Sequence, residues 1–262
     1  MYSPFPYDRL PSKNEFFGRQ EELENLSKIV NYSNNALIYS KRRMGKSSLI
    51  KALYEKYDKE YICLYTDIFD ITSKEDFISS LLKSLANYNK KFDLKNAIKN
   101  LTSLFKRLRF EPTIDANTLE YSIKPNITSL TFEDMIEDFF NSLEQLSKTS
   151  KIIIAIDEFQ QIANITDAKI DAILRKYIQN RTNISYIFLG SKRHILTSLF
   201  EYKAPLYEMA THIELKALRL EDIFDYAKKH IDISFEMCEY LYILSDKETK
   251  LIQQILHLLY IS

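Results

Sequence analysis

Hydrophobic and polar positions alternate along this chain in two rhythms. Leu23, Leu26, Ile29 and Val30 fall at helical spacing and predict a helix over residues 19–30. Short, mainly apolar runs at 36–39, 61–65, 151–156 and 184–189 predict buried strands, with a last short one at 213–215. Between them, amphipathic stretches at 49–57, 73–88, 93–108, 131–147 and 167–180 predict helices. Ser73 and Thr131 stand as N-caps, each with acidic residues in the following turn.

Residues 1–15 carry Pro4, Pro6 and Pro11 and read as an extended arm. Weak alternation around Pro112 and Pro125 suggests a hairpin, making 93–130 a helix-and-hairpin insertion. From Leu220 onward the pattern is helical throughout. Strands alternating with helices predict an α/β domain with a parallel sheet over residues 1–218, followed by a small all-helical region over 219–262.

Composition narrows the class. Apolar residues make up 45% and charged residues 27%, which suits a globular core and excludes extended disorder or a disulfide scaffold. Lys and Arg total 36, as do Asp and Glu, so whole-molecule attraction to nucleic acid or an anionic membrane is not expected. Two cysteines, Cys63 and Cys238, without a CxxC pair, argue against a zinc site and for a reducing compartment. No secretory signal is seen at the start, and no apolar run approaches the roughly 20 residues a membrane helix needs. A soluble, cytoplasmic protein without a membrane partner is expected. Only three glycines occur, where about 7% of a chain is usual. Gly18, Gly45 and Gly190 therefore mark places where a side chain is not accommodated.

Gly45 lies in the segment Ser40-Lys41-Arg42-Arg43-Met44-Gly45-Lys46-Ser47-Ser48, after a predicted strand and before a predicted helix. This is the setting of a phosphate-binding Walker A loop, GxxxxGK[ST], with Ser40 in place of the first glycine. Backbone N–H groups of such a loop wrap phosphates at a helix N-terminus. Lys46 is expected to reach the β- and γ-phosphates and Ser47 to ligate Mg²⁺. A Cβ at Ser40 is tolerable if φ there is negative and strained if it is positive.

The apolar run ending in Asp157-Glu158 is a Walker B pattern. Asp157 is expected to hold Mg²⁺ and Glu158 to polarise an attacking water. Strand ends in α/β sheets face one crevice, so both motifs should meet there. Gly190-Ser191 closes another predicted strand and would bring Ser191 near the γ-phosphate.

Taken together and in order, these segments resemble the archaeal-type ATPase family, a branch of the AAA+/STAND P-loop NTPases related to the origin-recognition ATPases. The resemblance runs through Phe17-Gly18-Arg19, the loop at 39–49, Tyr65-Thr66-Asp67, Asp157-Glu158-Phe159-Gln160, Leu189-Gly190-Ser191, Pro205-Leu206-Tyr207 and the helix at 251–259. It implies a P-loop NTPase fold with a helical lid over 219–262, truncated relative to the family, and ATP or ADP with Mg²⁺ as cofactors. It further implies that Phe17, Gly18 and Arg19 flank the nucleotide. It makes Leu189-Gly190-Ser191 a sensor segment. Three departures stand out: Ser40, Glu208-Met209 where relatives tend to carry Gly-Arg, and Asp246-Lys247-Glu248-Thr249 in place of a Gly- and Pro-containing turn.

The expected function is slow Mg²⁺-dependent ATP hydrolysis used as a conformational switch. The alternatives are a nucleotide-binding module without turnover and a DNA-transaction ATPase. The cluster Lys106-Arg107-Arg109 keeps a nucleic-acid partner open, while zero net charge does not favour it. Self-association is left open. Residues Leu251, Ile252, Ile255, Leu256, Leu258, Leu259 and Tyr260 are more apolar surface than one helix stripe needs, so an unidentified protein partner on this last helix is expected.

Overall fold

A computed structural model describes residues 3–91, 110–114, 121–125, 131–179 and 182–262. The predicted helix at 93–108 and the basic cluster at 106–109 lie outside them. Five strands form one parallel sheet: β1 (Ala36–Tyr39), β2 (Ile62–Asp67), β5 (Ile152–Asp157), β6 (Ile184–Gly190) and β7 (Thr211–Glu214). Their spatial order is β2-β5-β6-β1-β7. Two further strands, β3 (Phe110–Ile114) and β4 (Tyr121–Pro125), pair antiparallel as a separate hairpin.

Helices cover both faces of the sheet, as its apolar strands require. α1 (Gln20–Asn31) and α2 (Lys46–Tyr57) lie on one side. On the other lie α3 (Lys74–Lys91), α4 (Phe132–Ser147) and α5 (Ile170–Ile178), with the short α6 (Arg193–Ser198) beyond. Strand β5, an interior strand, contributes to both layers. Ile152, Ile154 and Ile156 pack toward α3–α5, and Ile153 and Ala155 toward α1 and α2. The period-two alternation of a strand delivers successive side chains to opposite faces, and here both faces are core.

Asn35 ties three strands at their amino ends. Its Oδ1 accepts from the Tyr186 N–H and its Nδ2 donates to the Met209 carbonyl, both at 2.9 Å. Its own carbonyl accepts from the Thr211 N–H. This register starts the last strand at Thr211, two residues before the apolar pattern suggests. Only the partly buried Ile213 carries an apolar side chain in β7, an edge strand.

The chain after Leu218 holds three helices: α7 (Leu220–Ala227), α8 (Phe235–Leu244) and α9 (Thr249–Ile261). They pack around Ile223, Leu241, Ile252 and Leu256. The helical region expected from residue 219 on is divided by turns at 228–234 and 245–248. The amino-terminal arm joins this group. Phe5 is fully buried there, and the Tyr226 hydroxyl donates to the Pro4 carbonyl. Among the described residues no helix is long and apolar enough to cross a membrane.

Candidate functional site

A cavity of about 530 Å³ opens at the carboxyl ends of β1 and β5. Its floor is the loop between β1 and α2. Gly45 caps α2 at φ 91°, ψ 21°, a left-handed conformation that glycine adopts without strain. Arg43, two residues earlier, is also left-handed at φ 64°. Ser40 is not among the residues with positive φ, so the missing first glycine costs no left-handed strain. The helix begins at Lys46 rather than at the first apolar residue, Leu49. The Gly45 cap turns the chain, and its carbonyl receives the Leu49 N–H.

Lys46 is buried, with 7% exposure, and its Nζ donates to Ser40 Oγ and the Lys41 carbonyl, both at 3.3 Å. Burial pulls its pKa below the ordinary lysine value, and the carboxylates of Asp157 and Glu158 act against that shift. Ser47 Oγ donates to Asp157 Oδ2 at 3.1 Å. Two motifs far apart in sequence therefore meet through one hydrogen bond.

Asp157 is held from three sides. Tyr65, on the neighbouring strand β2, donates its hydroxyl to the same Oδ2 at 2.7 Å, and the Glu158 N–H donates to Oδ1 at 2.9 Å. Burial and the nearby Asp157 charge keep the Tyr65 hydroxyl well above the usual tyrosine range, so it stays a donor. Sequence reasoning gave Tyr65 no role. Its position depends on the pairing of β2 with β5, which sets Asp67 opposite Asp157.

Glu158 occupies a left-handed conformation, φ 54°, ψ 38°, at the strand end. Such backbone persists where the surroundings hold it. Ser191 Oγ lies 3.1 and 3.0 Å from its two carboxylate oxygens, and Gln160 Nε2 donates to Oε2. Gln160 is 2% exposed and lies against Gly190, where an added Cβ would come within 2.1 Å of Gln160 Oε1. The third glycine thus marks the seat of the Gln160 amide. Gly18, at φ 66°, is crowded by Leu218 and Asp222 instead.

Phe17 and Arg19 are placed around the site rather than in its floor. Phe17 stacks on Tyr226, with ring centroids 4.1 Å apart, and lines a small neighbouring cavity of about 40 Å³. Arg19 is buried, pairs with Glu22 at 2.7 Å, and donates to the carbonyls of Met44 (3.2 Å) and Lys216 (2.6 Å). It therefore ties the loop to the chain leaving β7. Met44 is buried, and Ser48 lines the small cavity beside Gly45. Arg42 lines the larger cavity and lies over the Phe69 ring, 5.6 Å from its centroid.

The far walls were not legible as site residues. Arm residues 6–11 line the larger cavity opposite the loop. The arm is fastened by Lys51 Nζ donating to the Pro11 carbonyl at 2.7 Å and by the Arg9–Glu15 pair. The start of α9 closes another side through Thr249, Lys250 and Gln253. There the turn that departs from the family pattern supplies acids to the loop's cations. Asp246 pairs with Lys41 at 3.2 Å and Glu248 with Arg43 at 3.4 Å, while the Lys250 N–H donates to the Arg43 carbonyl. Asp246 and Lys247 make that turn with φ of 48° and 60°. His194 lies exposed on α6 and takes no part.

The arrangement suits a polyanion. A helix N-terminus, a buried lysine and loop cations face one cavity, with a carboxylate and a hydroxyl beside them. Among the described residues no group of three His, Cys, Asp or Glu side chains could hold a metal alone. The Ser47–Asp157 oxygen pair is the kind of partial donor set that Mg²⁺ completes with phosphate oxygens and water.

Comparison with known proteins agrees. A family model described as an ATPase domain predominantly from Archaea matches residues 16–254. No curated protein matches the chain in sequence. Among solved structures, the Walker-type ATPase PABY2304 of Pyrococcus abyssi is similar with a TM-score of 0.65 and 19% identity, covering 95% of this chain and 69% of that one. The Orc1 protein of Aeropyrum pernix, solved in complex with DNA, is similar with a TM-score of 0.62 and 11% identity, covering 97% and 62%. Cdc6p from Pyrobaculum aerophilum follows with 0.60 and 13%, covering 97% and 63%. These likenesses establish the fold, and the chain spans roughly two thirds of those neighbours' lengths. By the match over residues 16–254, the chain belongs to the family of ATPase domains found predominantly in Archaea.

Proposed function

We propose that the chain binds ATP or ADP with Mg²⁺ in the larger cavity, hydrolyses ATP slowly, and uses the bound state as a conformational switch of the AAA+/STAND type. The observation that carries this reading is the convergence of Lys46, Ser47, Asp157 and Glu158 on one cavity, with Ser47 Oγ 3.1 Å from Asp157 Oδ2. Loop N–H groups and the start of α2 would cradle the phosphates. Lys46 would exchange its bonds to Ser40 and the Lys41 carbonyl for phosphate oxygens. Ser47 and Asp157 would hold Mg²⁺, which neutralises charge on the transferring phosphoryl group. Glu158, steadied by Ser191 and Gln160, would orient and polarise the water for in-line attack.

Slow turnover is inferred from Met209. It stands where relatives carry a candidate arginine finger, is half-buried, and has its carbonyl bound to Asn35. The residues from 219 on would act as the lid, since Asp246, Glu248 and Lys250 already touch the loop. Two unbridged cysteines support a reducing, cytoplasmic setting. A DNA partner such as that of the Orc1 neighbour is not favoured at zero net charge.

Calorimetry with ADP and MgCl₂ tests the reading. Lys46→Ala is expected to abolish binding, and unchanged affinity would reject it. Turnover by the pure chain is expected on the order of 10⁻² s⁻¹ or below. A second reading, binding without turnover, draws on the two donors already engaged by Glu158. Glu158→Gln separates the two: both allow binding, and only a hydrolysing chain loses rate.

A further inference from the structure

Asp157 is 6% exposed, and three donors reach its carboxylate among the described residues. Ser47 Oγ and the Tyr65 hydroxyl both donate to Oδ2, at 3.1 and 2.7 Å, and the Glu158 N–H donates to Oδ1 at 2.9 Å. An ionised carboxylate offers about four lone-pair positions, two on each oxygen. Oδ2 is therefore filled, and Oδ1 keeps one place for a further donor. The three donors differ in what else is asked of them. Ser47 would itself ligate the cation, and the Glu158 N–H is fixed by the backbone of the strand end. Tyr65 belongs to neither the loop nor the strand that carries the acids.

The fold explains how Tyr65 arrives there. Strands β2 and β5 run parallel, with Tyr65 opposite Ala155 and Asp67 opposite Asp157. Alternate residues of a strand share a face. Ile153 and Ala155 pack toward α1 and α2, so Asp157 turns to that side, and Tyr65 reaches it from the neighbouring strand. Helix α2 starts at Lys46 on the same side, which brings Ser47 to the same oxygen. The Tyr65 ring is 40% exposed, so its hydroxyl can be removed without opening the core.

We propose that Tyr65 is a positioning residue for the divalent cation, holding Asp157 Oδ2 so that the carboxylate offers hydrated Mg²⁺ one acceptor place, on Oδ1. The proposal rests on the nucleotide reading above. Groups that orient a metal's ligands typically set its affinity by about 10–100-fold. Without the hydroxyl, Asp157 gains a second open place and a freedom to turn that cation binding must then remove. The effect falls on the cation and not on the phosphates, because Lys46 and the loop N–H groups would hold those without Tyr65.

Calorimetry of ADP binding across a MgCl₂ series, and in EDTA, tests this. Tyr65→Phe is expected to raise the Mg²⁺ concentration at half-effect about tenfold and to leave affinity in EDTA unchanged. Should it fail to fold, Tyr65→Leu takes its place with the same two readouts. Tyr54→Phe is the control. The Tyr54 hydroxyl donates to the Leu64 carbonyl and accepts from the Ala155 N–H within the same pair of strands, without bonding to Asp157. Its Mg²⁺ dependence is expected to match that of the unaltered chain. An unshifted Mg²⁺ dependence in the Tyr65 variants would overturn the proposal. Equal loss of ADP affinity with and without Mg²⁺ would assign Tyr65 to the shape of the loop and also overturn it. An equal shift in Tyr54→Phe would trace the effect to strand packing, with the same result. ADP binding by the unaltered chain that ignores Mg²⁺ would reject the proposal and leave nucleotide binding intact. Failure of the unaltered chain to bind ADP under any of these conditions would instead reject the nucleotide reading itself.

Discussion

Strand β5 and the helix pair α8–α9 are both dense in apolar residues, yet they end in opposite surroundings. All six residues of β5 are buried. In α8 and α9, Cys238, Leu241, Ile252 and Leu256 are buried, whereas Met237, Tyr240, Ile243, Leu244, Leu258 and Leu259 are exposed. A central strand has a neighbour on each edge and a helical layer on each face, so every apolar side chain it carries finds a partner. A helix at the border of the molecule has partners on one side. Of the seven apolar residues in α9 that exceed one stripe, Leu251, Leu258 and Leu259 remain exposed in the single chain. Equal hydrophobicity therefore says little about burial until the number of available faces is known.

The contrast can be broken most directly by truncation. Ile154→Ala in β5 is expected to cost about 2–5 kcal/mol in urea denaturation, because it opens a cavity in a packed layer. Ile243→Ala in α8, at 66% exposure, is expected to stay within about 0.5 kcal/mol. Similar losses at the two positions would mean that α8 is covered in solution.

A smaller effect is expected where the sheet meets the site. Gly190→Ala puts a Cβ within 2.1 Å of Gln160 Oε1, and overpacking of this kind costs about 1–3 kcal/mol. Gln160→Ala removes the obstructing amide, so the double variant should lose less than the sum of the two single losses. Strict additivity in a denaturation cycle would separate the two residues.

The smallest effect concerns the arm. Arg9 holds the Glu15 carboxyl at a pKa of about 2, against an ordinary 4.5. A depressed carboxyl pKa contributes stability that is complete above the ordinary value and is lost as pH falls. The arm should therefore loosen between about pH 4.5 and pH 2. With Arg9 42% exposed, the contribution is expected to stay below about 1 kcal/mol. Arg9→Ala should flatten the acid limb of a stability–pH curve, and an unaltered limb would assign that pH dependence to other carboxylates.

Much of the site was legible because its signals are local. The loop from Ser40 to Ser48 is contiguous, sits between a strand and a helix, and contains the one glycine that its left-handed cap demands. Asp157 and Glu158 close an apolar run that could only be an interior strand. Tyr65, Gln160, Thr249 and Gln253 left no such mark. Tyr65 matters because β2 lies beside β5. Gln160 matters because Gly190 leaves room for its amide. The two α9 residues matter because the packing of α9 sets them in the wall of the cavity. Asp246 and Glu248 read as a departure from a family turn, and the structure turns them into counter-charges for Lys41 and Arg43.

By itself, then, the sequence determined most of the described elements and which residue types would meet at the candidate site. The period of the apolar residues set strand against helix, the single loop glycine set the phosphate motif, and the acidic strand end set its counterpart. These are matters of neighbours in the chain, and local sterics decide them. The tertiary structure alone decided which distant groups share a hydrogen bond. It placed the arm across the cavity, Arg19 against the Met44 carbonyl of the loop, and part of the last helix in solvent. Those outcomes depend on sheet order and on how many faces each element has left to bury, and residues far apart in the chain fix both only once they are packed.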